Sequence, residues 1–258
     1  MLDATQYALG ALSGGLVGFS LGLVGGGGSI LAVPLMVYLV GVGNPHTAIG
    51  TSALAVAVNA ATGLASHARA HTVKWLSGAM YAAAGIVGAF AGSTVGKAFN
   101  GQKLLFLFAL LMIAVGILML RGRRNAGVEG AQCNRENAVD VLGYGLGTGL
   151  FSGFFGIGGG FLIVPGLVAS TRMPMINAVG TSLVAVAAFG LTTALNYAFS
   201  GLVDWPLAGT FIAGGIAGGV AGAALARRLS GTGTLTTVFA VLIFVVAAYM
   251  LGRSASAL

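Results

Sequence analysis

Residues 23–35 read LVGGGGSILAVPL, and residues 154–166 read FFGIGGGFLIVPG. In each, an apolar run is interrupted by glycine, which costs a helix ~1 kcal/mol per residue relative to alanine. The apolar run then resumes with a proline inside it, Pro34 in the first and Pro165 in the second. A break made twice in the same way divides its surroundings into one apolar segment of full length and one short one.

Around these breaks the sequence is apolar almost throughout. Of 258 residues, 57% are hydrophobic and 7% charged, with a mean hydropathy of +0.98. Soluble domains carry roughly 25% charge, so the chain is read as an integral membrane protein. The start, MLDATQYALG, holds an acid and no base, which is not the positive n-region of a cleaved signal; residues 8–24 are therefore expected in the mature fold. A net charge of +7 suggests nucleic acid in a soluble protein, but here the cations lie between apolar segments and reflect cytoplasmic loop bias, so no nucleic-acid partner is expected. The single cysteine, Cys133, sits in the polar stretch RGRRNAGVEGAQCNRENAVD and makes neither an internal disulfide nor a metal cluster.

A shift of about 130 residues superimposes the two halves. It sets AIGTS (48–52) on AVGTS (178–182), Trp75 on Trp205, Gly85 on Gly215, Gly88 on Gly218, Gly92 on Gly222 and Lys97 on Arg227. The glycine-rich elements align with one residue more, Pro34 on Pro165. The chain accordingly divides into a first membrane repeat at 6–121, a cytoplasmic linker at 122–138 and a second membrane repeat at 139–252. Each repeat holds five apolar segments: 6–24, 29–42, 45–69, 74–97 and 103–121, then 139–155, 160–171, 174–200, 204–227 and 233–252. The second segment of each is too short to cross as a helix, since fourteen residues rise ~21 Å against a ~30 Å hydrocarbon core. It is either half of a re-entrant hairpin or part of a broken helix, and such backbone survives only where protein or a cavity surrounds it.

Each repeat changes side an odd number of times, so the two are expected to be inverted. With the linker in the cytoplasm, Arg69, Lys74, Arg121, Arg123, Arg124, Arg135, Arg172, Arg227 and Arg228 fall inside. Lys97, Lys103 and Arg253 fall outside, as do both termini. Inverted halves are a common plan of secondary transporters, which bind substrate near the midplane at discontinuous helices.

The expected binding elements follow from that plan. Gly25, Gly26, Gly27 and Gly28, and opposite them Gly156, Gly158, Gly159 and Gly160, permit close approach of a ligand to main chain. Helices starting near Ser29 and Phe161 would offer free N–H groups and a positive dipole end, which favour an anion. The spaced glycines of GIVGAFAGSTVG (85–96) and GGIAGGVAGAALA (214–226) read instead as close helix packing. On the third segments, Thr51, Ala55, Asn59, Thr62 and Ser66 share one face, matched by Thr181, Ala185, Phe189, Thr192 and Asn196. Such hydroxyls and amides serve either as an ion path or as bonds between helices. No acid lies deep in a segment, and His46, His67 and His71 lie at segment ends or in connections, which disfavours a carboxylate proton relay. No phosphate-binding loop or other enzyme signature is present, and no cofactor is called for.

The duplicated GGGGSILAVPL…AIGTS and GIGGGFLIVPG…AVGTS resemble the TauE/SafE, or sulfite exporter, family over essentially the whole chain. The resemblance implies a bacterial inner-membrane carrier of small sulfur-containing anions such as sulfite, thiosulfate or organosulfonates including sulfoacetate. It places Gly25–Gly28, Pro34, Gly50–Ser52, Gly156, Gly158–Gly160, Pro165 and Gly180–Ser182 in the functional core. The resulting expectation is an all-α integral membrane transporter of two inverted repeats with glycine-broken or re-entrant helices at the midplane. Thr51, Ser52, Thr181 and Ser182 orient the anion, and Asn59 and Asn196 line its path. A channel and a non-transporting scaffold are the alternatives; a coupling proton or sodium ion and the oligomeric state stay open.

Overall fold

A computed structural model of the chain describes residues 3–121, 128, 130–156, 160–229 and 234–255, and every regular element among them is helical. In chain order these are α1 (Ala4–Val24), a 3-10 stretch (Gly25–Leu31), the single α-turn α2 (Ala32–Pro34), a π-helical stretch (Leu35–Leu39), α3 (Pro45–Arg69), α4 (Trp75–Ala98) and α5 (Gly101–Arg121). The second half holds α6 (Ala138–Phe155), α7 (Gly160–Thr171), α8 (Met175–Ala198), α9 (Trp205–Leu229) and α10 (Thr234–Ala255). Helices α3, α4, α6 and α8, with residues 205–225 of α9, are long and apolar enough to cross a membrane. Large apolar side chains face outward on them, among them Val87, Phe90 and Val220. Trp75 and Trp205 stand exposed at the starts of α4 and α9, where an indole suits the membrane–water boundary.

The short segments depart from expectation in the first half. No α-helix starts near Ser29: Gly25–Gly28 are themselves turned into the 3-10 stretch that continues α1, and the regular α geometry lasts only one turn. Pro34 gives the physical reason, because it has no N–H to donate back and the ladder reforms beyond it with a wider π spacing, Val40 donating to the Leu35 carbonyl at 2.9 Å. The paired free N-termini expected from the sequence are therefore not present as a pair. In the second half α7 is a regular helix with Pro165 inside it. Gly156, at φ +69°, ends α6 in the left-handed conformation that favours glycine.

Both short segments fold back along the helix before them. Gly28 packs on the backbone of Ser20 and Leu21, and twelve residues later the Val40 carbonyl accepts from Gln6 Nε2, near the start of α1. The 3-10 stretch of the first half packs against α7 of the second.

Glycine seams bring the remaining helices together. Gly14, Gly18 and Gly22 of α1 meet the backbone of Phe211, Gly215 and Gly219 of α9, so the two helices run parallel. Gly145, Gly149 and Gly153 of α6 meet Tyr81, Gly85 and Ala89 of α4 in the same way. Every pair in the second set is its counterpart in the first, displaced by 131 residues on one side and 130 on the other. Between α3 and α8 the order reverses: Gly50 lies on Tyr197, and Gly63 faces Leu183, so these counterparts are antiparallel. The pair forms the buried centre of the molecule. Left-handed residues correspond as well, Gly41 with Arg172 and His71 with Gly201.

Candidate functional site

The two GTS elements sit at the starts of α3 and α8, which antiparallel packing sends to opposite ends of the molecule. Thr51 is level with Tyr197, sixteen residues beyond Thr181 on α8, or ~24 Å at 1.5 Å per residue. The structure therefore does not bring Thr51 and Thr181 to one ligand. Each reaches into the other half instead. Thr51 Oγ1 accepts from the Asp204 N–H and Thr181 Oγ1 from the Lys74 N–H, both at 2.9 Å, just before α9 and α4 begin. The Asp204 carboxylate in turn accepts from the Leu207 N–H at 3.0 Å and caps α9. Ser52 and Ser182 donate back to their own helices, to Ile49 and Val179 carbonyls at 3.1 and 2.7 Å.

One glycine cluster joins a GTS element. Gly156 lies against the Ile49 side chain, the residue before Gly50, so the α6–α7 turn and the start of α3 meet. Gly160 opens α7 and is buried; Gly158 and Gly159 lie outside the described residues. Ser29 is buried in the 3-10 stretch.

Asn196 and Asn59 have opposite surroundings. Asn196 lies at the end of α8, where Lys97 Nζ donates to its carbonyl at 2.9 Å and its side-chain Oδ1 at 2.8 Å. The ammonium also donates to Ser200 Oγ at 2.8 Å and lies 5.9 Å from the Tyr197 ring centre. Asn196 Nδ2 donates to Ser93 Oγ and Thr94 Oγ1 at 2.6 and 3.0 Å, so this amide ties α8 to α4. Asn59 is buried at 5% exposure, fifteenth in the twenty-five residues of α3, and neither amide atom has a partner. Its amide rests on Gly215 of α9, on the seam facing Gly18 of α1.

The counterpart of Asn59 is Phe189, which rests on Gly85 as Asn59 rests on Gly215. Tyr81 stacks on it with ring centres 6.4 Å apart, and Thr148 of α6 donates to the Tyr81 hydroxyl at 2.9 Å. The two junctions have one backbone plan, yet one is filled by rings and the other holds an unpaired amide. Lys97, Ser93, Tyr81 and Thr148 were not singled out as site neighbours by the sequence; the 130-residue correspondence, which already paired Asn59 with Phe189, was the signal that led to the second junction.

The sulfite exporter TauE/SafE family model matches residues 10–250. A probable membrane transporter protein of Xylella fastidiosa (strain Temecula1) is 54% identical over 249 residues, covering 94% of each chain. The probable membrane transporter protein YunE of Bacillus subtilis is 27% identical, over 90% of this chain and 93% of its own. MJ0441 of Methanocaldococcus jannaschii, also a probable membrane transporter protein, is 28% identical over 76% and 72%. No solved structure matches the chain. With two glycine-broken hairpins, helices that cross the membrane and a family match that covers both halves, the chain belongs to the sulfite exporter TauE/SafE family of membrane proteins.

Proposed function

We propose that the chain is a secondary transporter that carries a small sulfur-containing anion, such as sulfite, thiosulfate or an organosulfonate, across the bacterial inner membrane. The observation that supports this reading most is the antiparallel correspondence of α3 and α8, each flanked by a glycine seam. Two halves related in this way offer two exchangeable arrangements, with substrate alternately open to one side and the other. The linker lies in the cytoplasm and both termini outside, the orientation that sets nine of twelve Arg and Lys residues inside. Among the described residues the acids lie before or in the first turn of a helix, or in the linker, as Asp3, Asp204, Asp140 and Glu136 do, which leaves the middle of the bundle without a carboxylate relay.

Counterflow in proteoliposomes tests the reading. Vesicles preloaded with unlabelled sulfite, thiosulfate or sulfoacetate accumulate the labelled anion transiently if the protein is a carrier. Flux without counterflow points to a channel, and absence of both flux and ligand-induced thermal stabilisation for every anion points to a scaffold.

A further inference from the structure

We propose that the junction of α1, α3 and α9 around Asn59 is the single central seat of the transported anion, and that the anion it takes carries a proton. The inference rests on the transport reading and deepens it. Among the described residues, Asn59 is the side chain that leaves two buried polar atoms unpartnered, Nδ2 and Oδ1. Leaving either unmet in an apolar interior is costly, and other buried amides in this fold do not do so: Asn196 is bonded on both sides. Because both atoms are unpaired, the conclusion does not depend on which way round the amide is placed.

The seat is singled out by comparison within the chain. At the equivalent place between α4, α6 and α8, Phe189 and Tyr81 fill the space and Thr148 occupies the tyrosine hydroxyl. Around Asn59 the corresponding positions hold Phe211, Val17 and the amide itself. A Cβ at Gly215 would fall on the Asn59 amide, so the glycine makes the room that the amide occupies.

An amide has a donor side and an acceptor side, and this fixes the ligand chemistry. A fully deprotonated oxyanion satisfies Nδ2 but turns a negative oxygen toward Oδ1. An oxyacid monoanion that keeps one O–H donates to Oδ1 while accepting from Nδ2. It also brings one charge rather than two into the middle of the bundle, where the cost of burying charge is greatest. The protein's own ionisable groups stand apart from the seat. On α3 they are His46, His67 and Arg69, with His67 Nδ1 2.9 Å from Thr72 Oγ1. On the packed neighbours they are Tyr7 of α1, Tyr197 of α8 and Lys103 of α5, with Asp3, Tyr38 and Asp204 beside helix or segment ends, while the sequence positions of Arg121, Arg227 and Arg228 fall at the last turns of α5 and α9. The proton therefore belongs to the ligand, in keeping with a midplane that holds no acid.

Binding to the purified full-length chain, read as ligand-induced thermal stabilisation, tests both parts. Sulfite is titrated on the acid side of neutrality, where it is hydrogensulfite, and on the alkaline side, where it is not. Methanesulfonate serves as a monoanion with no proton to give. Apparent affinity for total sulfite should fall about tenfold or more on the alkaline side, and methanesulfonate should stabilise little. Asn59→Leu should fold with an unchanged or higher melting point and lose hydrogensulfite binding by about tenfold or more, whereas Phe189→Leu in the other junction should keep it. Equal affinity on both sides of neutrality, equal binding of methanesulfonate, or full binding by Asn59→Leu each overturns the proposal while leaving anion transport standing. If the native chain binds and moves no anion at all, the transport reading falls with it.

Discussion

Replacing Thr51 by valine removes one hydroxyl and nearly nothing else, because the two side chains have the same shape. What is lost is the acceptor of the Asp204 N–H, held at 2.9 Å across 153 residues of chain. Thr51 is fully buried, so no water takes its place at once, and an unmet buried donor costs about 1–3 kcal/mol. Asp204 also caps α9, so its displacement loosens the first turn of that helix as well. The expected destabilisation is about 2 kcal/mol. Thr181→Val removes the acceptor of the Lys74 N–H and should cost a similar amount. The residues lie ~24 Å apart along α8, so the double variant should show the sum, about 4 kcal/mol. Thr51→Ser keeps the oxygen and should lose only about 1 kcal/mol, the worth of one buried methyl group. Reversible unfolding in mixed detergent micelles, with and without sulfite, measures all four. A Thr51→Val chain as stable as the native one, but blind to sulfite, would refute this reasoning and assign the hydroxyl to the anion.

Other outcomes follow from single contacts. Gly149→Ala puts a Cβ onto the Gly85 carbonyl and should destabilise by about 2–3 kcal/mol, while Gly147→Ala, which meets nothing within 4 Å on the same helix, should be neutral or stabilising by up to about 1 kcal/mol in the same unfolding assay. Lys97→Met frees Asn196 Oδ1 and Ser200 Oγ, and since the lysine is only partly buried the loss should be about 1–2 kcal/mol; Lys97→Arg should not restore it, because a planar guanidinium does not match three converging oxygens. Cys133 is buried against Met80, and burial raises its thiol above the ordinary value. The fold thus favours the neutral thiol: its contribution to stability is complete below the unfolded thiol pKa and is lost as pH rises through the raised folded value. Maleimide labelling of the folded chain should be slow at neutral pH and should accelerate on unfolding.

The helical segments and the packing role of the spaced glycines were legible because hydropathy and spacing are local properties. The second segment of the first half was not. Whether GGGGSILAVP winds with three, four or five residues between bonded groups depends on small energy differences, settled by Pro34 and by packing against α1 and α7. The two asparagines show a different limit. Asn59 and Asn196 look alike in sequence, polar residues on an apolar helix, and both read as path-lining. Lys97 arrives from another helix 99 residues away to engage Asn196, while at Asn59 the apposed residue is a glycine. The GTS hydroxyls were read as ligand groups because bonds between halves, 107 and 153 residues apart, leave no trace in local spacing.

Symmetry and its exceptions divide the work in this chain. Where the halves agree, at the Gly14 and Gly145 seams or the Thr51 and Thr181 bonds, the residues hold one half to the backbone of the other. A chain that agreed everywhere would exchange two arrangements of equal free energy, since each half would simply take up the other's conformation. Every unequal pair removes that degeneracy. Asn59 against Phe189, Phe211 against Tyr81, Val17 against Thr148, and a 3-10 to π segment against the regular α7 each stabilise one arrangement differently from its mirror. Differences of about 1.4 kcal/mol shift such a balance tenfold. Under the proposed alternating exchange, the unequal pairs would set both where a ligand is held and which side the empty protein faces. On that proposal, substituting one member toward its counterpart, as Asn59→Phe does, should alter resting bias and binding together, whereas a change in the α4–α6 seam such as Gly149→Ala should alter stability alone.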